Sequence, residues 1–140
     1  MRTQLHASCA ALDDDAVLLL GPSGCGKSDL LLRLIDRGFL LVGDDQVDLE
    51  NGRVSAAAGL EGLIEVRGLG ILRLPWRGSA RLRLACQLSE MPPRLPEAAV
   101  HGPDVPLLVV DPRPASAPLL LAYALDCLRG GTSMQSGAFT

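Results

Sequence analysis

Apolar and polar positions change period several times along the 140-residue chain, and each change marks an element. Thr3 to Leu12 reads as a strand, Asp13-Asp14-Asp15 as a turn, and the apolar run Ala16 to Leu20 as a second strand. Centring this hairpin on Asp14 sets His6 opposite Pro22. From Lys27 to Arg37 the spacing becomes helical, with Leu30, Leu31, Leu34 and Ile35 forming one stripe and Gly38 following as the stop. Phe39 to Val42 is again an apolar strand and ends in Gly43-Asp44-Asp45. Strand, helix and strand of these lengths predict a right-handed crossover. The two strands then point the same way, and Asp44 and Asp45 lie beside the start of the helix.

Further along, Gln46 to Leu49 and Arg53 to Ala57 predict a hairpin about Asn51-Gly52. Leu60 to Trp76 is apolar but interrupted by Gly62, Gly68 and Gly70, and Glu65 and Arg67 alternate with Ile64 and Val66 on one strand face. Arg81 to Leu88 alternates as a half-exposed strand, and the Pro-rich segment Ser89 to Gly102 reads as a surface loop carrying His101. Val105 to Val110 predicts another strand, followed by a turn at Asp111-Pro112. Ala117 to Leu128 predicts a helix with Leu120, Leu121, Ala124, Leu125 and Leu128 on a wide apolar face. Residues 130–140 have little to fold around and are expected to form a mobile tail after a single domain over residues 1–129.

Bulk composition narrows the chemistry. With 48% hydrophobic residues the chain can build one core, and a net charge of −3 without a Lys/Arg cluster argues against nucleic acid or an acidic membrane surface as partner. The four cysteines have no metal-ligand spacing, and no apolar run suggests a membrane span or secretory leader, so a cytoplasmic protein is expected.

The chemistry concentrates in GPSGCGKS, which follows one apolar strand and opens the first helix. It fits a phosphate-binding loop. The backbone N–H groups of Gly21, Pro22, Ser23, Gly24, Cys25 and Gly26 (Pro22 excepted, having none) would turn toward one anion, with Lys27 as a mobile cation and the Ser28 hydroxyl on Mg2+. Two carboxylates aimed at phosphates need a metal or a transferable proton to offset their charge, so Asp44 and Asp45 suit metal binding and general base catalysis. Asp111 also ends an apolar strand, but would reach the phosphates only if that strand is parallel to the first.

His6, the loop Gly21 to Asp29, LVGDDQVDL (Leu41 to Leu49) and IEVRGLGIL (Ile64 to Leu72) together resemble, in the same order, the catalytic domain of HPr kinase/phosphorylase. The resemblance implies an α/β P-loop fold of the phosphoenolpyruvate carboxykinase-like type, a mixed sheet with flanking helices. It also implies the short form of the family, without an N-terminal regulatory domain. The implied activity is transfer of phosphate from ATP, with Mg2+, to a serine of the phosphocarrier HPr, with phosphate-dependent dephosphorylation in bifunctional members and hexamers among larger ones.

By position, Asp44 resembles the base that takes the serine proton and His6 the residue assisting it. Lys27 and Ser28 resemble the phosphate and metal contacts, and Asp29 and Asp45 the supports of the metal site. Glu65, Arg67 and Gly68 fall in the signature tied to dephosphorylation. Departures are Gln46 after the acidic pair, Pro22 in the loop, shortened C-terminal helices, and VVDPRPAS in place of the family's basic loop, with Arg113 as its one candidate cation. A nucleotide-binding regulator and a small-molecule kinase on the same scaffold are the alternatives.

Overall fold

A computed structural model describes residues 2–101 and 104–139. Its strands are β1 (Arg2–Leu5), β2 (Ala7–Leu12), β3 (Asp15–Leu20), β4 (Leu40–Gly43), β5 (Val47–Glu50), β6 (Arg53–Ala56), β7 (Leu63–Val66), β8 (Gly70–Arg73), β9 (Ala80–Leu88), β10 (Val100–His101) and β11 (Val105–Val110); the helices are α1 (Lys27–Asp36) and α2 (Ala117–Leu128). One mixed sheet runs β1-β5-β6-β9-β3-β2-β4, with β11 also on β9 and β10 on β11, while β7 and β8 form a separate hairpin. Among the described residues no helix is long and apolar enough to cross a membrane.

The apolar run of β3 is buried on both faces. Val17 and Leu19 pack with Leu30, Leu31 and Leu34 of α1 and with Leu121 and Leu125 of α2. Ala16 and Leu18 pack on the other face with Val42, Val47 and Val54. Helix α1 starts from Gly26, whose backbone is left-handed (φ 102°), and ends at Gly38. There the N–H groups of Gly38 and Phe39 donate to the carbonyls of Ile35 and Leu34 at 3.0 and 3.1 Å. These bonds satisfy the last carbonyls of the helix, as the sequence stop signal predicted.

The expected crossover is present with one strand inserted in it. β2 lies between β3 and β4 and is antiparallel to both, so β3 and β4 point the same way. Since β9 is parallel to β3 and β11 is parallel to β9, the ends of β3, β4 and β11 share one sheet edge. The Asn51-Gly52 hairpin forms as expected, with both residues at positive φ.

Several expectations are corrected. The first hairpin pairs Ala7 with Leu20 and Leu12 with Asp15, one residue away from a turn centred on Asp14. A two-residue Asp13-Asp14 turn, with Asp13 at φ 54°, suits the strand twist better. The single strand Thr3 to Leu12 breaks at His6, because its first part pairs with β5 and its second with β3. β9 is central and mostly buried rather than half-exposed, since it has neighbours on both edges. Leu120 is exposed although it was placed on the apolar face of α2. The Pro-rich segment contains β10, and its last residue, Gly102, lies outside the described residues. The tail does find a surface: Ala138 is 6% exposed within the core, and Phe139 packs against it.

Candidate active site

The loop from Gly21 to Ser28 leaves β3 and enters α1 at the edge where β4 also ends, so Asp44 and Asp45 meet the first turn of the helix. Together they border a cleft of about 660 Å³. It is lined by Ser23, Gly24, Gly26, Lys27, Ser28, Asp29 and Leu32, by Asp44 and Asp45, and by Glu65, Val66 and Arg67 from the β7–β8 hairpin. The hairpin faces the loop because Ile64 is buried in the same core as α1.

Lys27 is only 5% exposed. Its Nζ donates to the carbonyls of Gly21 (2.6 Å) and Pro22 (3.0 Å), closing the loop around its own cation. Ser28 Oγ donates to Asp44 Oδ1 at 2.7 Å. The same oxygen accepts from Ser8 Oγ at 2.9 Å, and Asp44 Oδ2 accepts from the Glu65 backbone N–H at 3.1 Å. Asp45 is exposed and left-handed (φ 70°), and its Oδ1 lies 3.4 Å from His6 Nε2. His6 Nε2 is also 3.4 Å from Ser23 Oγ. His6 thus stands at the phosphate loop, even though the hairpin register is shifted by one.

Asp29 reaches the cleft, but its carboxylate is ion-paired with Arg33 one turn along at 2.9 Å. Arg33 also donates to the carbonyl of Pro114 at 3.0 Å and to that of Pro112, fastening α1 to the segment after β11. Gly68 sits in the β7–β8 turn at φ 86°, next to the lining residue Arg67.

Asp111 does lie at the carboxyl edge, because β11 is parallel to β9. Its carboxylate is nevertheless taken by Arg113: Nε and the backbone N–H reach Oδ1 at 3.0 and 2.9 Å, and Nη2 reaches Oδ2 at 2.9 Å. These bonds hold the Asp111 carboxyl below the usual range and raise the Arg113 guanidinium. Arg113 also pairs with Glu90 at 3.3 Å and does not line the cleft.

Among the described residues, no group of three or more His, Cys, Asp or Glu side chains is assembled for a metal. The donors present, a serine hydroxyl 2.7 Å from a carboxylate at the base of a phosphate loop, fit Mg2+, which takes few protein ligands and fills its shell with phosphate oxygens and water. The residue not anticipated is Ser8. Its signal in the sequence was a lone hydroxyl in the apolar run ASCAAL, two residues after His6.

Comparison with known proteins gives the same assignment. Residues 1–83 match the family described as HPr Serine kinase C-terminal domain. An HPr kinase/phosphorylase of Azoarcus sp. is 35% identical over 85% of this chain and 44% of its own length. One from Clostridium tetani is 42% identical over 52% of this chain and 25% of its own length. The chain therefore spans less than half of these curated relatives. The solved HPr(Ser) kinase/phosphatase of Coxiella burnetii superposes with a TM-score of 0.77 at 29% identity, covering 91% of this chain and 90% of that one. The α/β architecture is thus that of an HPr kinase structure, in agreement with the expected phosphoenolpyruvate carboxykinase-like P-loop type. By its loop, its acidic pair and its fold, the chain belongs to the HPr Serine kinase C-terminal domain family.

Proposed function

We propose that the chain is an ATP- and Mg2+-dependent protein kinase that phosphorylates a serine of an HPr-like phosphocarrier. The observation that supports this reading is the contact between Ser28 and Asp44 beside Lys27, since a hydroxyl, a carboxylate and a lysine cation border one cleft, the groups that phosphoryl transfer from Mg2+-ATP calls for. Mg2+-ATP, when bound, supplies the transferable phosphoryl group and offsets the charge around it. Lys27, whose Nζ donates to the carbonyls of Gly21 and Pro22, would hold the phosphate oxygens of the nucleotide. Ser28 would hold Mg2+ through its hydroxyl oxygen, leaving Asp44 Oδ1, its present partner at 2.7 Å, free to accept another proton donor. Asp44 then receives the proton of the acceptor serine as its oxygen bonds to phosphorus and the bond to the ADP oxygen breaks. His6 and Asp45 stand at the mouth and orient the incoming hydroxyl, while Arg67 and Glu65 border it from the hairpin.

The same contact favours a second allocation, in which Asp44 stays with Ser28 and the metal while exposed Asp45, paired with His6, takes the proton. Purified protein with Mg2+-ATP and HPr, followed by the mass of the carrier, tests both. Loss of transfer in Asp44→Asn with Mg2+-dependent ATP binding retained supports Asp44 as base, and the same outcome in Asp45→Asn alone supports the second allocation. ATP binding without transfer by the wild type would favour a nucleotide-binding regulator, and ATP turnover only with a metabolite would favour a small-molecule kinase. Adding inorganic phosphate to the phosphorylated carrier tests the reverse reaction.

A further inference from the structure

The geometry points to Ser8 as a positioning residue that sets both carboxylates of the acidic pair, and this inference rests on the kinase reading above. Ser8 lies on β2 with 0% exposure, one of the few polar side chains sealed inside the fold. Strand alternation puts it on the face of Ala10, toward α1, whereas Ala7, Cys9 and Ala11 face the opposite core. An alanine there would have continued the apolar pattern.

Its hydroxyl is used in both directions. Oγ donates to Asp44 Oδ1 at 2.9 Å and accepts from the Asp45 backbone N–H at 3.2 Å. The neighbouring Ala7 N–H donates to the Asp45 carbonyl at 3.0 Å. The need for such a clamp comes from the strand pairing. The β2–β4 ladder slips between Cys9 and Ala10, because Cys9 pairs with Gly43 but Ala10 with Leu41, leaving Val42 as an extra residue. The chain leaving β4 is therefore turned away from regular pairing, and Asp45 adopts a left-handed backbone that a non-glycine residue holds only when its surroundings enforce it. Ser8 replaces the missing ladder bond at Asp45 and at the same time aims the Asp44 carboxylate at Ser28. One hydroxyl thus couples the backbone of one acid to the side chain of the other, and no phosphate, metal or acceptor need touch it.

The test compares Ser8→Ala, Ser8→Cys and Ser8→Thr in the full chain, measuring ATP binding without Mg2+, the Mg2+ dependence of the rate, and kcat and KM for phosphate transfer to the carrier. Ser8→Ala and Ser8→Cys are expected to fold, to bind metal-free ATP as the wild type does, and to lose kcat about 10- to 100-fold, the effect of misaligned reacting groups. They should need about threefold or more Mg2+ for half-maximal rate, by the same misalignment. Ser8→Thr, which keeps the hydroxyl, should recover most of kcat. A kcat for Ser8→Ala within about threefold of wild type overturns the inference, as does a loss that follows melting temperature alone across the variants. A wild type that transfers no phosphate to the carrier defeats the kinase reading instead. Ser8 is then judged on Mg2+-dependent ATP binding, where an unchanged Ser8→Ala also overturns it.

Discussion

Gly26→Ala isolates how far the phosphate loop depends on its backbone. Gly26 caps α1 at φ 102° and ψ 14°, and its carbonyl accepts from the Leu30 N–H at 3.0 Å as the first bond of the helix. A Cβ added there would meet Pro112 at 3.4 Å, the near limit of ordinary van der Waals contact. The larger cost is conformational, since an alanine held at this φ is strained by about 1–3 kcal/mol. Loss of glycine's freedom in the unfolded chain returns about 0.4–1 kcal/mol. At mid-range the net destabilisation is about 1.3 kcal/mol, which for a domain of this size is ~4 °C in Tm. If the residue instead relaxes to negative φ, the loop N–H groups leave the phosphate site. Each charge-assisted bond lost there is worth about 1.5–3 kcal/mol, so ATP affinity falls by at least about tenfold. Thermal unfolding and calorimetric titration with Mg2+-ATP read both effects. Gly78→Ala is the control, because Gly78 has no left-handed backbone and no atom within 4 Å of an added Cβ. It should melt like the wild type. A Gly26→Ala protein that melts and binds ATP as Gly78→Ala does would refute the argument.

Other outcomes follow from the same geometry. Lys27→Met keeps the buried stem but removes the cation, so Mg2+-ATP binding should weaken by about tenfold or more in a titration while the fold persists. Leu34→Ala, at 0% exposure between α1 and the sheet, should destabilise by about 2–5 kcal/mol in urea unfolding. Asp14 is held low by hydrogen bonds from Arg53 and then Arg77; at Asp15 burial opposes the charge, but hydrogen bonds from Arg129 and Arg81 outweigh it. Both folded carboxyls titrate below their unfolded value of about 3.9, so their contribution is complete above that pH and is lost as pH falls through the folded values. The urea midpoint should therefore drop as pH falls below about 4, and the drop should shrink in Asp14→Asn/Asp15→Asn.

Several elements follow from local chemistry alone. A glycine-rich loop between an apolar run and a Leu-striped helix has little choice but to open that helix; α1 stops at the Gly38 signal, and α2 spans Ala117–Leu128, the bounds its apolar spacing predicted. The handedness of the crossover then suffices to bring Asp44 and Asp45 to the loop. Tertiary structure decided what depends on neighbours that spacing cannot reveal. The turn at Asp13-Asp14 moved the hairpin register by one residue, because strand twist selects the turn. Asp111 reached the phosphate edge only because β11 adds in parallel to β9, and once there its carboxylate was taken by Arg113. Asp29 met Arg33, a pairing legible as helix spacing, whereas the further bonds of Arg33 to Pro112 and Pro114 cross most of the chain. Ser8 was visible only as a hydroxyl out of place in an apolar strand. Its partners lie just past the end of β4, beyond a bulge, and a hydrogen bond between residues so far apart in sequence exists only after the sheet has closed.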